Sequence, residues 1–313
     1  MFSGPVAIVD VGSNSIKSLV ATWPAGGGLH ILAQKTIDAR ISAGISARKP
    51  HLSDEGMTRG LAAIRELMDR VAEFSPRKIV LVATSAVRDA ENGAEFRERV
   101  RAATGHDLRI LSGEEEASLI GRGLACDPAL ADLENFYTFD LGGGSLECLA
   151  YRAHQLEQSG SVQLGCVRLT EKFIPDVTQP VRTETLDAIM RYTKTTLAQA
   201  AFAFTLPAGS PAVGSGGTFV AARSIIAARV GCSLEQTRPR IELSVLRVLL
   251  GELSAVSLEQ RRKIPGLPPQ RADVFPAALA TLVALAEAGG FSAFQHSFFN
   301  LRFGLAAEAL EKT

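Results

Sequence analysis

Apolar and polar positions repeat along this chain in a way that sets out its elements. Val6–Val20 reads VAIVDVGSNSIKSLV, and Tyr137–Tyr151 reads YTFDLGGGSLECLAY. Each copy is an apolar run, an Asp, one apolar residue, a Gly, two small residues and a Ser, then a second apolar run. That pattern predicts a strand, a tight glycine turn and a returning strand. After the first copy, Met57, Leu61, Ile64, Met68 and Val71 fall at helical spacing within Leu52–Phe74, with Ser53 as N-cap and Asp54 and Glu55 in the first turn. Lys78–Thr84 reads as a buried strand, Glu91–Thr104 as a helix and Leu108–Leu111 as a strand, and Ser112 opens a helix to Leu124. The second copy is followed by a strand at Ser159–Leu164, a helix over Thr183–Phe204, a short strand into Gly214 and another helix. Leu243–Ala255, Val274–Ala288 and Phe303–Lys312 also read as helices.

This alternation predicts an α/β protein of two related lobes, each a mixed sheet flanked by helices. The boundary falls in Ala125–Glu134, giving lobes at 1–124 and 125–302, with 303–313 packing back on the first lobe. A chain of 313 residues with 46% hydrophobic content can fill two cores. Its 33 basic and 33 acidic residues cancel, which argues against nucleic acid or a membrane surface as partner. No run of about 20 apolar residues is present. Cys126, Cys148, Cys166 and Cys232 show no metal-binding spacing, and the five histidines are scattered. The N-terminus leads straight into a strand with no secretory pattern, so a cytoplasmic location is expected.

The candidate chemistry lies in the turns. An Asp at a strand end beside exposed backbone N–H groups suits a phosphate–metal site. In the first loop Asp10 precedes Gly12, Ser13, Asn14 and Ser15, which offer donors to phosphate oxygens, and Lys17 adds charge. In the second, Asp140 and Glu147 flank Gly142, Gly143, Gly144 and Ser145 and can hold Mg²⁺. Three successive glycines let N–H groups approach a ligand closely. A third loop, Gly214-Ser215-Gly216-Gly217-Thr218, precedes a helix whose N-terminus favours an anion. Arg88 stands just past a buried strand, where it can bind phosphate or face solvent beside Asp89. Ser112 and Glu115 fit a capping box, which leaves Glu116 without a structural task. Arg168, Lys172, Arg191, Lys194, Arg261, Arg262, Lys263 and Arg271 form either a cationic row or ordinary solvated surface.

The segments VDVGSNSIK, ATSAVRDA, LSGEEEASLIGRGL, FDLGGGSLE and GSGGT together resemble the Ppx/GppA family of exopolyphosphatases and guanosine pentaphosphate phosphohydrolases. That family belongs to the acetate kinase–sugar kinase–Hsp70–actin superfamily. The resemblance implies ribonuclease-H-like (actin-like ATPase) lobes with the active site in the cleft between them. It implies Mg²⁺-dependent hydrolysis of a terminal phosphoanhydride. By the same resemblance Glu116 is the catalytic glutamate, Arg88 a phosphate-binding arginine and Arg271 a further basic position. Asp140 and Glu147 are its metal-linked acids, and Gly143, Gly144, Ser145 and the Ser13–Ser15 loop its phosphate cradle; Asp10, at the matching strand end, is a third metal candidate by the reading of the turns. The expected substrate is inorganic polyphosphate, with pppGpp as the alternative and a homodimer plausible. A nucleotide-dependent phosphotransferase and a catalytically silent ppGpp or polyphosphate sensor are the readings from other classes. Leu146, Ser215, Ala277, Ala278, Asn300 and Phe303 depart from the usual family pattern.

Overall fold

The structure, a computed structural model, describes residues 4–24, 27–42 and 50–311. The ends of the expected first and last segments, 1–3 and 312–313, lie outside the described residues. In chain order the strands are β1 (Val6–Val11), β2 (Ile16–Thr22), β3 (His30–Ile37), β4 (Lys78–Ala83), β5 (Leu108–Ile110), β6 (Phe136–Leu141), β7 (Leu146–Arg152), β8 (Gln155–Val162), β9 (Ala212–Ser215), β10 (Arg240–Glu242) and β11 (Ala293–His296). The helices are α1 (Asp54–Ala72), α2 (Ser85–Arg88), α3 (Gly93–Thr104), α4 (Gly113–Leu124), α5 (Cys166–Phe173), α6 (Thr183–Gln199), α7 (Gly217–Val230), α8 (Leu243–Ser254), α9 (Leu258–Arg261), α10 (Phe275–Gly289) and α11 (Leu301–Glu311). The chain forms two compact units, one running to Asp132 and resuming at Phe299, the other Leu133–Phe298. Among the described residues no helix is long and apolar enough to cross a membrane.

The first unit holds a sheet ordered β3-β2-β1-β4-β5, the second one ordered β8-β7-β6-β9-β11 with β10 on the outer edge. In both, the first three strands form an antiparallel meander and the next two run parallel to the first. That order is the ribonuclease-H-like arrangement, present twice. The repeated sequence pattern becomes a repeated register: Asp10 pairs with Lys17 across β1–β2, and Asp140 with Glu147 across β6–β7.

Burial explains why these runs are strands. Every residue of β1 is buried, as befits a central strand covered on both faces. α1 and α11 both pack on β1 and β2. α1 starts on Ser53, whose side chain accepts from the Gly56 N–H, a cap contributing about 1 kcal/mol. α11 returns to the first unit and lies on α4 at backbone distance. A Cβ on Gly304 would run into the Leu119 carbonyl, and one on Gly123 into that of Asn300. Arg302 Nη1 donates to the Ser18 carbonyl at 3.3 Å, and Arg122 pairs with Glu311. In the second unit α10 is buried almost end to end and packs on α5, α6 and α8.

Several elements differ from the sequence expectation. β3 has no apolar run, because an edge strand alternates exposed and half-buried positions. β8 begins at Gln155 rather than Ser159 for the same reason, its first residues being polar and exposed. α5, α9, β10 and β11 were not foreseen, and all are eight residues or shorter. The expected helix to Phe204 stops at Gln199 because Phe202 and Phe204 leave it for an aromatic cluster. Their rings meet that of Tyr137 at 6.1 and 5.6 Å.

Candidate active site

In the first unit the candidate residues gather at the carboxyl ends of β1, β4 and β5, where open α/β sheets bind ligands. Asp10 is the last residue but one of β1, Arg88 closes the single turn α2 after β4, and Glu116 lies in the first turn of α4 after β5. Ser112 caps α4, and the reciprocal Ser112–Glu115 box forms as its spacing predicts. Glu115 is thereby spent on the cap and on Arg109 at 2.8 Å. Glu116 instead points inward, 6% exposed, and accepts from Arg88 Nη1 at 2.7 Å. The same Nη1 donates to the Leu111 carbonyl at 3.1 Å, and Arg88 Nε lies 3.5 Å from Asp89. Arg88 therefore neither waits alone nor faces solvent; it grips the candidate base. With both side chains largely buried, removal of either partner costs about 3–5 kcal/mol.

The loop after β1 is closed by the Gly12 N–H donating to the Ser15 carbonyl at 3.2 Å. Ser13, Asn14 and Ser15 are all buried. Ser13 Oγ meets Ser85 Oγ at 3.1 Å. The Ser13 carbonyl accepts from the Ser42 N–H, and the Asn14 carbonyl from the Arg40 N–H at 2.9 Å. Arg40 Nε also donates to Asn14 Oδ1 at 3.3 Å. The Asn14 amide is thus oriented, and its buried Nδ2 has no partner among the described residues. Such an orphaned donor is costly unless something accepts from it. Lys17 is half-buried, opposite Asp10 in the register.

The second unit repeats this turn, with Gly142 N–H donating to the Ser145 carbonyl at 3.0 Å. Its carbonyls meet the amino end of α5. Cys166 N–H donates to Gly142 O at 3.0 Å, and the N–H groups of Val167 and Arg168 donate to Gly143 O at 2.9 and 3.2 Å. Arg168 Nε donates to Gly144 O at 2.9 Å. A trans peptide points its N–H opposite its C=O. With these carbonyls turned toward α5, the N–H groups of Gly143, Gly144 and Ser145 face the other way, as an anion nest requires.

The third loop adjoins Asp140. Ser215 Oγ donates to Asp140 Oδ2 at 2.9 Å, and Gly216, at φ +84°, leaves room that a Cβ would take from the same carboxylate. Asp140 so stands at the N-terminus of α7, where a negative charge is favoured. The Arg271 guanidinium lies against Gly217, the first residue of α7. Glu147, 2% exposed, accepts from Ser161 Oγ at 2.9 Å.

Asp140 and Glu147 are cross-strand partners and so share one face of the hairpin. Two carboxylates with serine hydroxyls beside them form an all-oxygen set that suits Mg²⁺, which commonly takes one or two carboxylates together with substrate phosphates. Among the described residues no three His, Cys, Asp or Glu side chains form a metal cage. The cationic row does not stand as drawn. Arg261 is fully buried and donates to the carbonyls of Val256, Ala272 and Gln179. Lys194 pairs with Glu287 and Lys263 with Glu259. Lys172 lies 3.9 Å over the Tyr192 ring. Sequence reasoning missed Arg40, Ser42, Ser85, Ser161 and Gly165. Gly165 left a trace, as the glycine before a helix that has no capping side chain.

Comparison with known proteins agrees with this architecture. An exopolyphosphatase from Cytophaga hutchinsonii superposes with a TM-score of 0.87 at 22% identity, covering 99% of this chain and 98% of that one. An exopolyphosphatase-like protein gives 0.86 at 24% identity over 98% and 99%. The PPX-GPPA enzyme of Aquifex aeolicus gives 0.77 at 21% identity over 97% and 99%. At these identities the likeness shows a shared fold. The Ppx/GppA phosphatase family itself matches over residues 19–313. The chain is thus a phosphohydrolase and belongs to the Ppx/GppA phosphatase family.

Proposed function

We propose that this enzyme removes the terminal phosphate of inorganic polyphosphate by Mg²⁺-dependent attack of water. The observation that carries the reading is the buried Arg88–Glu116 pair, which fixes a carboxylate at the sheet's carboxyl end. Glu116 accepts a proton from the attacking water at a carboxylate oxygen. Arg88, with five N–H donors, holds Glu116 with Nη1 and reaches a phosphate oxygen with another. The N–H groups of Gly143, Gly144 and Ser145, and Asn14 Nδ2, donate to phosphoryl oxygens as charge builds there. Arg271 adds positive charge beside the α7 N-terminus. Mg²⁺ held through Asp140 and Glu147 would neutralise phosphate charge; Asp10 is the third acid we assign to that task.

One observation favours the second reading, hydrolysis of pppGpp at its 5′ γ-phosphate. A long polyanion needs a track of available cations, and the row that would supply it is buried or paired at Arg261, Lys194 and Lys263. A phosphate-release assay on both substrates, with Mg²⁺ and with a chelator, separates these. Faster release from polyphosphate supports the first reading; release from pppGpp alone replaces it. Glu116→Gln keeps the shape and the acceptor for Arg88, so it should fold and lose about 10²–10⁴-fold in turnover. Turnover near wild type in that variant would remove Glu116 as base.

A further inference from the structure

The triple-glycine loop has no side chains of its own to fix its peptides, and glycine loses more conformational freedom on ordering than any other residue. Its orientation must come from outside. Three consecutive peptides are turned the same way, and the structure shows what turns each. The carbonyls of Gly142 and Gly143 accept from main-chain N–H groups of α5. The Gly144 carbonyl accepts from a side chain, Arg168 Nε at 2.9 Å. We propose that Arg168 is a positioning residue, fixing the Gly144–Ser145 peptide so that the Ser145 N–H faces the phosphate. This rests on the reading of that loop as a phosphate cradle.

Three features make the arrangement specific. First, α5 has no capping side chain; its opening N–H groups are satisfied by the loop carbonyls. The positive end of this helix is thus spent on the loop, and the loop in turn presents its own N–H groups. Second, Gly165 packs at backbone distance, since a Cβ there would run into the Gly143–Gly144 backbone. The helix cannot slide along the loop without losing this fit. Third, the first unit uses an arginine at the equivalent peptide. Asn14 occupies the turn position of Gly144, and its carbonyl accepts from the Arg40 N–H, while Arg40 Nε holds the Asn14 side chain. In both units the segment after the meander's third strand carries this arginine. The difference is instructive. Arg40 holds its carbonyl with the main chain, which no side-chain substitution removes. Arg168 does so with its guanidinium, and the Gly144–Ser145 peptide is therefore the one that a single substitution releases. A released peptide between Gly144 and Ser145 turns by rotating two backbone dihedrals. It would then present a carbonyl where the phosphate expects a donor.

The test is Arg168→Leu, with Arg168→Lys as a second variant, both followed by steady-state kinetics and by amide NMR of the whole protein. In phosphate-free protein the Ser145 amide resonance should move in Arg168→Leu. Added inorganic phosphate should shift the Gly143, Gly144 and Ser145 amides of the wild type but leave Ser145 unmoved in the variant. kcat should fall about 10²-fold, as for loss of one preorganised donor, with KM changed far less. Arg168→Lys, which carries charge but no Nε fork, should recover little, whereas guanidinium added to Arg168→Ala should recover part of kcat. An arginine that only bound substrate would raise KM and leave the phosphate-free Ser145 amide where it was, and that result overturns the proposal. So does wild-type kcat in Arg168→Leu. If wild-type amides ignore phosphate, the cradle reading fails, while the phosphate-free Ser145 shift still decides whether Arg168 positions the loop.

Discussion

His296 shows how much one buried side chain can carry. It ends β11 beside the third glycine loop and is 4% exposed. Arg223, 3% exposed, brings Nη1 to 2.9 Å from His296 Nδ1. A guanidinium only donates, so Nδ1 must accept and the imidazole is neutral with its proton on Nε2. Burial first, and the Arg223 charge second, push the His296 pKa down to about 3. The unfolded chain binds a proton near pH 6.5, the folded chain near 3. The stability held above pH 6.5 is therefore lost as pH falls toward 3, at up to about 1.4 kcal/mol per pH unit. Urea unfolding at pH 7 and pH 5 should show wild type losing more than His296→Asn. Equal losses would mean that His296 titrates normally in the fold. At this scale the sequence was legible where chemistry and local pattern coincide: the capping box expected at Ser112 and Glu115 forms, and Glu116 beside it turns inward. The burial of Arg223 and Arg261 was not legible, because each is held by main-chain carbonyls of irregular segments and by one long-range partner, His296 for Arg223 and the Gln179 carbonyl for Arg261.

Elements with a strong period were read well, and those defined by their neighbours were not. β1, β4 and β6 are central and apolar, so burial wrote them into the sequence. β3 and β8 are edges, and α5 is an eight-residue helix that exists to meet a loop. The contact of α4 with α11 belongs to this scale. Gly123 and Gly304 have no room for a methyl group, since backbone carbonyls stand where it would go. Gly304→Ala should separate the helices and destabilise the first unit by about 1–3 kcal/mol, the usual cost of overpacking. Thermal unfolding measures this. In contrast, Gly251→Ala, a helical position with nothing near its Cβ, should be neutral or slightly stabilising.

For the whole molecule, the duplicated hairpin announced two related lobes, and both sheets carry the same strand order. What the sequence showed less directly is that the first unit is discontinuous, taking up the chain again at Phe299. Residues 133–298 should therefore fold alone and unfold cooperatively in denaturant. Residues 1–132 alone should expose the face of α4 that α11 covers and aggregate, and 299–313 joined through a linker should restore solubility. Soluble, cooperatively folded 1–132 would show α11 to be dispensable.

The register across each hairpin has one more implication. Opposite the first aspartate stands a lysine, and opposite the second a glutamate. The two turns share a register, and Glu147 stands where the first has Lys17, so they are electrically unlike. The second turn pairs two carboxylates where the first pairs a carboxylate with an ammonium, so a cation gains more beside the second. Two hairpins with one backbone register thus differ in charge through a single pair of facing residues.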